Sequence, residues 1–341
     1  MTAIMANKEM FVSESAGRKP RIVLVGGSGQ VGSILARHFH QQQNDVCVIA
    51  RTTFSAPWSV VAWNGLQLGD WVKALAASDA VINLAGRSVD CRYGPRNKTE
   101  ILESRIRSTK LVGEAIQTLS TPPPLWLNAS TATIYRNSTD RAMDEETGEL
   151  GGTEANVPDS WHFSIEVATR WEKSFFDAKT PQTRKVALRS AMTMSPDRGG
   201  VFDALLRLVR FGLGGRFGSG EQYISWIHER DFVRAIEFVI ANERISGVVN
   251  VAAPNPQPHT EFMRDLRAAW GIRFAIPMPK SMLEIGAVFL RTETELVLKS
   301  RRVVPGRLLD DGFRFEFPEW PAAAVELVQS WRKQRTRELS K

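Results

Sequence analysis

A glycine-rich turn between an apolar strand and a helix constrains the fold more than any other feature. The run Arg21–Val25 is short and almost continuously apolar, as in a strand of a buried parallel sheet. Glycine permits a tight turn and a close approach of the backbone to a pyrophosphate, which the amides at the helix start would face. A plain glycine turn is the alternative. The motif predicts a dinucleotide-binding site at Gly26, Gly27, Ser28, Gly29, Gln30, Val31 and Gly32.

Strand and helix patterns alternate from this turn to about residue 190. Strands are predicted at 21–25, 45–50, 60–63, 80–84, 125–129 and 184–190, and helices at 33–42, 69–77, 97–119 and 161–178. This alternation predicts an α/β fold, a Rossmann-type doubly wound parallel sheet with helices on both faces. Because the pattern changes near residue 195, we expect three parts. These are a loose tail at 1–17, the nucleotide-binding domain at 18–195 and a smaller C-terminal substrate-binding region at 196–341.

The C-terminal region has a less regular pattern. Residues 212–220 include five glycines and are expected to form a loop. A strand at 223–227 and a helix at 231–242 are predicted next. From residue 254 onward we expect short helices and, at residues 313–317, a strict apolar–polar alternation typical of a strand.

The residue after the second strand bears on the choice of cofactor. Sites that prefer NAD usually carry Asp or Glu about 20 residues beyond the glycine turn, where the carboxylate binds the ribose. In this chain the corresponding residue is Arg51, a fixed cation whose fork of donors suits a 2′-phosphate. We therefore predict NADP(H) as the cofactor in preference to NAD(H), with a merely exposed Arg51 as the alternative.

The fourth strand ends in a second segment expected to contact the cofactor. Small residues follow Asn83 there, and ligands of such sheets bind at the carboxyl ends of the strands. An ordinary turn from strand to loop is the alternative. The contacting residues are predicted to be Leu84, Ala85 and Gly86.

Composition excludes several other classes of protein. Of the 341 residues, 43% are hydrophobic and 24% are charged, which is ordinary for a globular chain and excludes a disordered or fibrous one. Two cysteines without metal-ligand spacing exclude a zinc ribbon, and we predict no metal site. No run reaches the ~18 apolar residues of a membrane span, and no signal peptide is recognisable, so we expect a cytoplasmic protein without membrane contact. The net charge of +7 suits an anionic cofactor or substrate, and without a basic run we predict no nucleic-acid partner.

Several motifs carry a resemblance to a known family. The glycine turn and residues 83–86 and 129–135 occur in the order found in extended short-chain dehydrogenases/reductases of the NAD-dependent epimerase/dehydratase type. The chain is more narrowly similar to the atypical SDR39U1-like (YfcH-like) epimerase-family proteins with a C-terminal DUF1731-type segment. This resemblance extends over about residues 20–335 and implies a Rossmann fold with a bound dinucleotide. The motifs that narrow it are residues 104–109, 170–172, 189–195, 212–215, 218–220, 225–231 and 304–308.

The resemblance implies a catalytic arrangement that this chain carries only in part. In the parent superfamily a tyrosine passes a proton to or from a substrate oxygen, and a lysine four residues later lowers the tyrosine pKa. None of the three tyrosines here is followed by lysine at that spacing. Ser164 and Ala168 stand where the pair is expected. The usual acid and its tuning lysine are therefore absent.

Other residues are candidates for parts of the missing apparatus. Thr131 matches the Ser/Thr that holds the substrate oxygen in the superfamily, and Ser130 beside it is expected at the cofactor. Thr131 capping its own backbone is an equally good interpretation. Tyr135 and His162 are candidate proton donors, with core packing of the Tyr135 ring as the alternative.

Substrate contacts are predicted in the second region, at Arg216, Ser219 and Trp226. Together these observations favour an NADP(H)-dependent epimerase-like or reductase-like enzyme that acts on a small sugar-like or carbonyl substrate. The alternative is a non-catalytic protein that binds and senses NADP(H). The helix predicted at 97–119 could form a dimer face or be used within one chain, so we expect a monomer or a homodimer.

Overall fold

The computed structural model describes residues 18–154, 157–278 and 295–340; the predicted tail at 1–17 lies outside them. The strands are β1 (Arg21–Val25), β2 (Asp45–Ala50), β3 (Ser59–Ala62), β4 (Ala80–Asn83), β5 (Leu125–Thr131), β6 (Arg184–Ser190), β7 (Met192–Met194), β8 (Tyr223–Ile224), β9 (Trp226–His228), β10 (Gly247–Val251) and β11 (Gln257–Pro258). The α-helices are α1 (Gln30–Gln41), α2 (Pro95–Thr118), α3 (Asp159–Phe176), α4 (Val201–Arg210), α5 (Glu229–Ala241), α6 (His259–Trp270), α7 (Glu295–Leu298), α8 (Gly306–Asp310) and α9 (Trp320–Leu339). Two 3-10 helices occupy Asp70–Leu75 and Ala132–Ile134.

Seven parallel strands form one sheet in the order β3-β2-β1-β4-β5-β6-β10. The strand order reverses direction at β1, so the crevice between the carboxyl ends of β1 and β4 is the point where such sheets bind ligands. The predicted α/β fold with a doubly wound parallel sheet is confirmed.

Alternate residues of each central strand pack on opposite faces of the sheet, because side chains alternate with a period of two. In β1, Ile22 and Leu24 belong to an apolar cluster with residues of α1 and α5. Val23 and Val25 belong to a second cluster that includes residues of α2 and Phe175 of α3. Burial on both faces explains why the strands read as continuous apolar runs.

The C-terminal part has an apolar cluster of its own, formed by α4, α6 and α9. Trp320 of α9 stacks on Phe262 of α6 with ring centroids 3.9 Å apart. The buried residues of α9 recur along one face of the helix. At 20 residues, α9 is longer than the short helices expected for this region. No helix in the described part of the chain is both long and apolar enough to cross a bilayer.

Two local predictions in the C-terminal part need correction. No strand was predicted at β10, although it contains three valines, and it extends the main sheet by pairing in parallel with β6. Conversely, residues 313–317 form no strand. Instead, the amides of Glu316 and Phe317 each donate to the Asp231 carboxylate at 2.7 Å, so a side chain takes the place of a strand partner. The alternating phenylalanines there, Phe313, Phe315 and Phe317, are shared between two apolar clusters.

Candidate functional site

The glycine turn after β1 has a geometry that only glycine tolerates at two positions. Gly26 has a φ of +74°, and its amide donates to the Ile49 carbonyl at 2.8 Å. A Cβ atom on Gly26 would lie 2.5 Å from the Cα of Ala85. A Cβ on Gly32 would overlap the backbone of Gly27. Gly26 therefore allows the turn to pack closely against the segment after β4, and Gly32 allows α1 to pack closely against the turn.

Gly29 differs, because a Cβ there would meet no atom of the described chain within 4 Å. Gly29 is the N-cap of the 12-residue helix α1, and no side chain caps this end. An uncapped helix start with exposed backbone suits the phosphates of a dinucleotide, since amide dipoles and N–H groups point at the ligand. The shape and the donors of the turn thus fit a dinucleotide pyrophosphate.

The other residues predicted in the turn lie around this opening. Ser28 is exposed, and Val31 is half-buried against the apolar cluster on α1. The Gln30 amide group packs where a Cβ on Gly200 would be, so the turn contacts the start of α4. The Nε2 of Gln30 is buried and makes no hydrogen bond within the described part of the chain.

Two further segments reach the same edge of the sheet. Arg51 directly follows β2 and is exposed, with no ion pair among the described residues. Leu84, Ala85 and Gly86 directly follow β4, where the Asn83 side-chain oxygen accepts a hydrogen bond from the Ala85 amide at 3.1 Å. The turn after β1, Arg51 and the segment after β4 therefore occupy the carboxyl ends of three adjacent strands.

A cavity of about 280 Å³ opens at the carboxyl ends of β5 and β6, between α2 and α3. It lies on the same edge of the sheet as the glycine turn, two strand spacings or about 10 Å away from β1. Its apolar lining includes Val89, Ile101, Ala132, Phe163, Val167, Trp171, Ala191 and Met192. Its polar lining consists of Tyr93, Arg105, Ser130, Thr131, Thr133, Ser164, Ser190, Glu295 and Arg301.

Thr131 and Ser130 both line the cavity, and their contacts with substrate and cofactor stay predictions. The Thr131 hydroxyl oxygen accepts a hydrogen bond from the Thr133 amide at 3.2 Å, so it caps the following 3-10 helix. This bond leaves the hydroxyl hydrogen available to a ligand. The two interpretations of Thr131, a backbone cap and a substrate-oxygen donor, are therefore compatible.

Ser130 joins a buried network beneath the cavity. Its hydroxyl donates to Glu172 at 2.5 Å, and Arg189 binds the same carboxylate through Nε at 2.8 Å and Nη2 at 2.7 Å. Burial by itself would lower the pKa of Arg189, but the bound Glu172 carboxylate more than offsets burial and holds that pKa above its usual range. The network orients the end of β5 below the cavity.

Tyr135 belongs to this network and not to the cavity wall. Its ring is 2% exposed, and its hydroxyl accepts from Arg189 Nη1 at 2.9 Å and donates to Asn250 Oδ1 at 3.0 Å. Burial raises the pKa of Tyr135, although the Arg189 guanidinium acts in the opposite sense. Both functions of the hydroxyl are in use, so the structure agrees with core packing, the alternative to a proton donor.

His162 is also outside the cavity lining, although Phe163 and Ser164, which follow it in α3, both line the cavity. The ring of His162 is half-exposed near the start of the helix. Ser164 lies deeper, at the place where the superfamily carries its tyrosine, and its hydroxyl donates to the buried Glu295 carboxylate in a short hydrogen bond. Ala168, at the place of the lysine, is fully buried.

The substrate contacts predicted in the second region do not line this cavity. Arg216 and Ser219 are exposed in the glycine-rich loop. Trp226 is fully buried, with its ring centroid 5.0 Å from that of Trp320 in the C-terminal cluster. A core position for Trp226 follows from its place in β9, which pairs with β7.

Of the residues that line the cavity, the sequence predicted Ser130 and Thr131 as site residues, and five of those it missed bear on the chemistry. Arg105 and Trp171 lie within motifs that carried the family resemblance, and the unusual Ser164 marks the tyrosine position. These three were therefore within reach of a motif-based argument. Glu295 and Arg301 had no such signal, because they reach the cavity from more than 100 residues beyond α3. In the part of the chain that the structure describes, no three His, Cys, Asp or Glu side chains gather as a metal site.

Known proteins with related sequences and structures share this architecture. Residues 22–252 match the NAD dependent epimerase/dehydratase family, and residues 278–327 match a domain of unknown function, DUF1731. The epimerase family protein SDR39U1 of Homo sapiens is 30% identical over 313 residues, or 90% of this chain and 99% of the relative. The crystal structure of human SDR39U1 (isoform 2) with NADPH has a TM-score of 0.79 at 28% identity and covers 91% of this chain and 99% of that chain. The nucleoside-diphosphate sugar epimerase from Corynebacterium glutamicum has a TM-score of 0.70 at 26% identity, over 91% of this chain and 58% of that chain.

The match to the epimerase/dehydratase family spans more than half of the chain and includes all seven strands of the sheet apart from Arg21. It confirms the resemblance that the glycine turn and the later motifs indicated, including the DUF1731-type segment. The chain belongs to the NAD dependent epimerase/dehydratase family.

Proposed function

We propose that this protein binds NADP(H) in preference to NAD(H) and uses it in an epimerase-like or reductase-like reaction on a small substrate. The glycine turn supports dinucleotide binding, because the opening at Gly29 leaves the uncapped start of α1 accessible to a pyrophosphate. The similar human protein SDR39U1 was solved with NADPH, which supports the same cofactor here.

Arg51 carries the proposed preference for the 2′-phosphate. It lies at the carboxyl end of β2, where a ribose-binding carboxylate stands in NAD sites. Its exposed guanidinium has no ion pair in the described part of the chain, so a phosphate would meet little competition. Arginine binds phosphate through paired donors, which an NAD ribose cannot use in the same way.

The observation that carries the proposal of enzymatic activity is the cavity beside the ends of β5 and β6. NADP(H), when bound, supplies or accepts a hydride. Thr131 presents a hydroxyl that can hold a substrate oxygen. Ser164, bonded to the Glu295 carboxylate, can hold or move a proton at its Oγ atom. These two hydroxyls take the parts of the superfamily's Ser/Thr and tyrosine.

A non-catalytic NADP(H)-sensing protein is the second candidate. It is favoured by the absence of a tyrosine with a partner lysine and by the burial of the Tyr135 hydroxyl in the network with Arg189 and Asn250. The cavity is the observation against it, because a sensor of the dinucleotide alone needs no additional polar pocket. Turnover of NADPH with a panel of small carbonyl compounds would separate the two candidates.

A comparative titration tests the cofactor proposal. NADPH and NADH are added to the protein, and binding is followed by tryptophan quenching and by energy transfer to the nicotinamide. We expect NADPH to bind at least about tenfold more tightly, and Arg51→Ala to abolish the difference, as expected for loss of a charge-assisted contact. Arg244→Ala, at another exposed arginine, is the matched control and should leave the preference intact. Equal affinities for the two nucleotides in the wild type would contradict the assignment of Arg51.

A further inference from the structure

The cavity contains a guanidinium that lacks a counterion in the described chain. Arg105 projects from α2 into the cavity lining, where its Cζ atom lies 5.1 Å from the centre of the Trp171 ring. Its hydrogen bonds to described residues are both made by Nη1, to the carbonyls of Arg87 at 2.9 Å and Ile101 at 3.0 Å. Neither acceptor is charged, so these bonds orient the guanidinium without neutralising it.

The edge of Arg105 that normally binds a carboxylate is open. In Arg189 this edge, formed by Nε and Nη2, holds Glu172 in a bidentate pair. The same two atoms of Arg105 have no acceptor in the described part of the chain. A planar fork of this kind matches the two oxygens of a carboxylate.

The surrounding charges leave the positive charge of Arg105 unbalanced. The other ionic groups of the lining, Arg301 and Glu295, have opposite charges and lie 3.9 Å apart. Burial lowers the pKa of Arg105 to about 10, and the groups that oppose this shift are the side chains of Tyr93 and Cys91, not a carboxylate. A half-buried cation without a partner is unfavourable, and an anionic ligand would remove that penalty.

The backbone also holds Arg105 in place. A Cβ atom on Gly86 would lie 3.1 Å from the Cγ and 3.2 Å from the Cζ of Arg105, so the absence of a side chain at residue 86 leaves room for the Arg105 side chain. The Trp171 ring packs against the guanidinium carbon and is itself fixed by donating to Thr109 Oγ1 at 2.9 Å. The guanidinium is therefore preorganised before any ligand arrives.

We infer that Arg105 binds the carboxylate of the substrate, and that the substrate is a small acid carrying a carbonyl or hydroxyl group. This inference rests on the proposed function, because it names the substrate class of the same cavity. A volume of about 280 Å³ is at the lower end for a ligand pocket and suits a small acid. The hydroxyls of Thr131 and Ser164 remain for the reacting oxygen.

Isothermal titration of small acids tests the inference. The probes are 2-oxobutanoate, 3-oxobutanoate and 4-oxopentanoate, which vary the distance between carboxylate and carbonyl, each paired with its uncharged methyl ester. Each is titrated into the protein saturated with NADP⁺ and into the nucleotide-free protein. We expect at least one acid to bind at least about tenfold more tightly than its ester, because the ester loses a charge-assisted bidentate contact.

Three variants assign the effect to Arg105. Arg105→Gln should weaken acid binding about tenfold or more and leave ester binding unchanged. Arg105→Lys, which keeps the charge but loses the fork, should show an intermediate affinity and decides the question if the Gln variant does not fold. Arg107→Gln, on the same helix but half-exposed and 4.0 Å from Glu103, is the matched control and should bind like the wild type.

Three results would overturn the inference. They are an absence of acid binding at millimolar concentration with and without nucleotide, unchanged acid binding in Arg105→Gln, and a loss of NADPH affinity in that variant without a loss of acid affinity. The last result would assign Arg105 to the cofactor phosphates. Because nucleotide binding is measured separately, a failure of the proposed cofactor site is distinguishable from a failure of the proposed substrate class.

Discussion

The buried pair between Glu172 and Arg189 should be a major contributor to stability, and Glu172→Gln tests this directly. The two side chains are 10% and 8% exposed, and Ser130 depends on the same carboxylate. Removing one partner of a buried pair costs about 3–5 kcal/mol, because the other charge stays buried without compensation. Glutamine keeps one oxygen that can accept from Arg189, so we expect about 3 kcal/mol, a large fraction of a typical stability of about 5–15 kcal/mol.

Urea unfolding, followed by tryptophan fluorescence and far-ultraviolet circular dichroism, measures this loss. With a slope of about 3 kcal/mol per molar urea, the midpoint should fall by about 1 M. The matched control is Glu166→Gln on the same helix, whose partner Arg170 lies 2.9 Å away with both side chains about half exposed. An exposed pair contributes about 0–1 kcal/mol, so this control should unfold almost like the wild type.

A double variant tests the physical reason for the loss. Replacing Arg189 by Met together with Glu172→Gln removes both charges, so the double variant should be less destabilised than the sum of the two single variants. The reasoning would be refuted if Glu172→Gln and Glu166→Gln shifted the midpoint equally, because burial would then make no difference to the pair.

Two further predictions concern the glycine turn and a buried histidine. Gly29→Ala should leave the free energy of unfolding within about 1 kcal/mol of the wild type but weaken NADPH binding, since its Cβ enters the open cofactor path. Gly32→Ala should instead destabilise the fold, since its Cβ overlaps the backbone of Gly27. Urea unfolding and NADPH titration of both variants measure the two effects. Equal losses of folding stability in the two variants would contradict the prediction. Burial, aided by the charge of Arg267, lowers the pKa of His259 to about 4, whereas the unfolded chain takes up the proton near pH 6.5. The stability that neutral His259 contributes should therefore be present above pH 6.5 and decline by up to about 1.4 kcal/mol per pH unit toward pH 4. His259→Asn should flatten this part of the pH profile of the free energy of unfolding in urea. An unchanged slope in the variant would contradict the assignment.

Much of the nucleotide-binding half could be predicted because its signals are local. The strand β1, the glycine turn and the helix α1 are adjacent in sequence, and Gly26 and Gly32 each meet a backbone requirement that few residues satisfy. Burial on both sheet faces left continuous apolar runs that marked the strands. The place of Arg51 at the carboxyl edge of the sheet could be predicted for the same reason, since it directly follows such a run.

The C-terminal elements were harder to predict because their signals depend on distant partners. The alternating residues 313–317 look like a strand, yet the Asp231 carboxylate satisfies two of their amides. The strand β10 carries three valines that favour a strand, but its place in the sheet depends on the free edge that β6 offers. Pairing and burial decided both cases, and neither can be read from spacing along the chain.

The sequence by itself determined the strand–turn–helix unit and the absence of a tyrosine with a partner lysine, because each depends on residues within a few positions of one another. It also determined the parallel sheet, through the alternation of strands and helices along the chain. Only the tertiary structure decided which groups surround the cavity. It placed Glu295 on Ser164 across 131 positions, buried the Tyr135 hydroxyl on Arg189 and Asn250, and left one edge of Arg105 open among the described residues. These contacts join residues that are far apart in the sequence, and they form only when helices and loops pack over the carboxyl edge of the sheet.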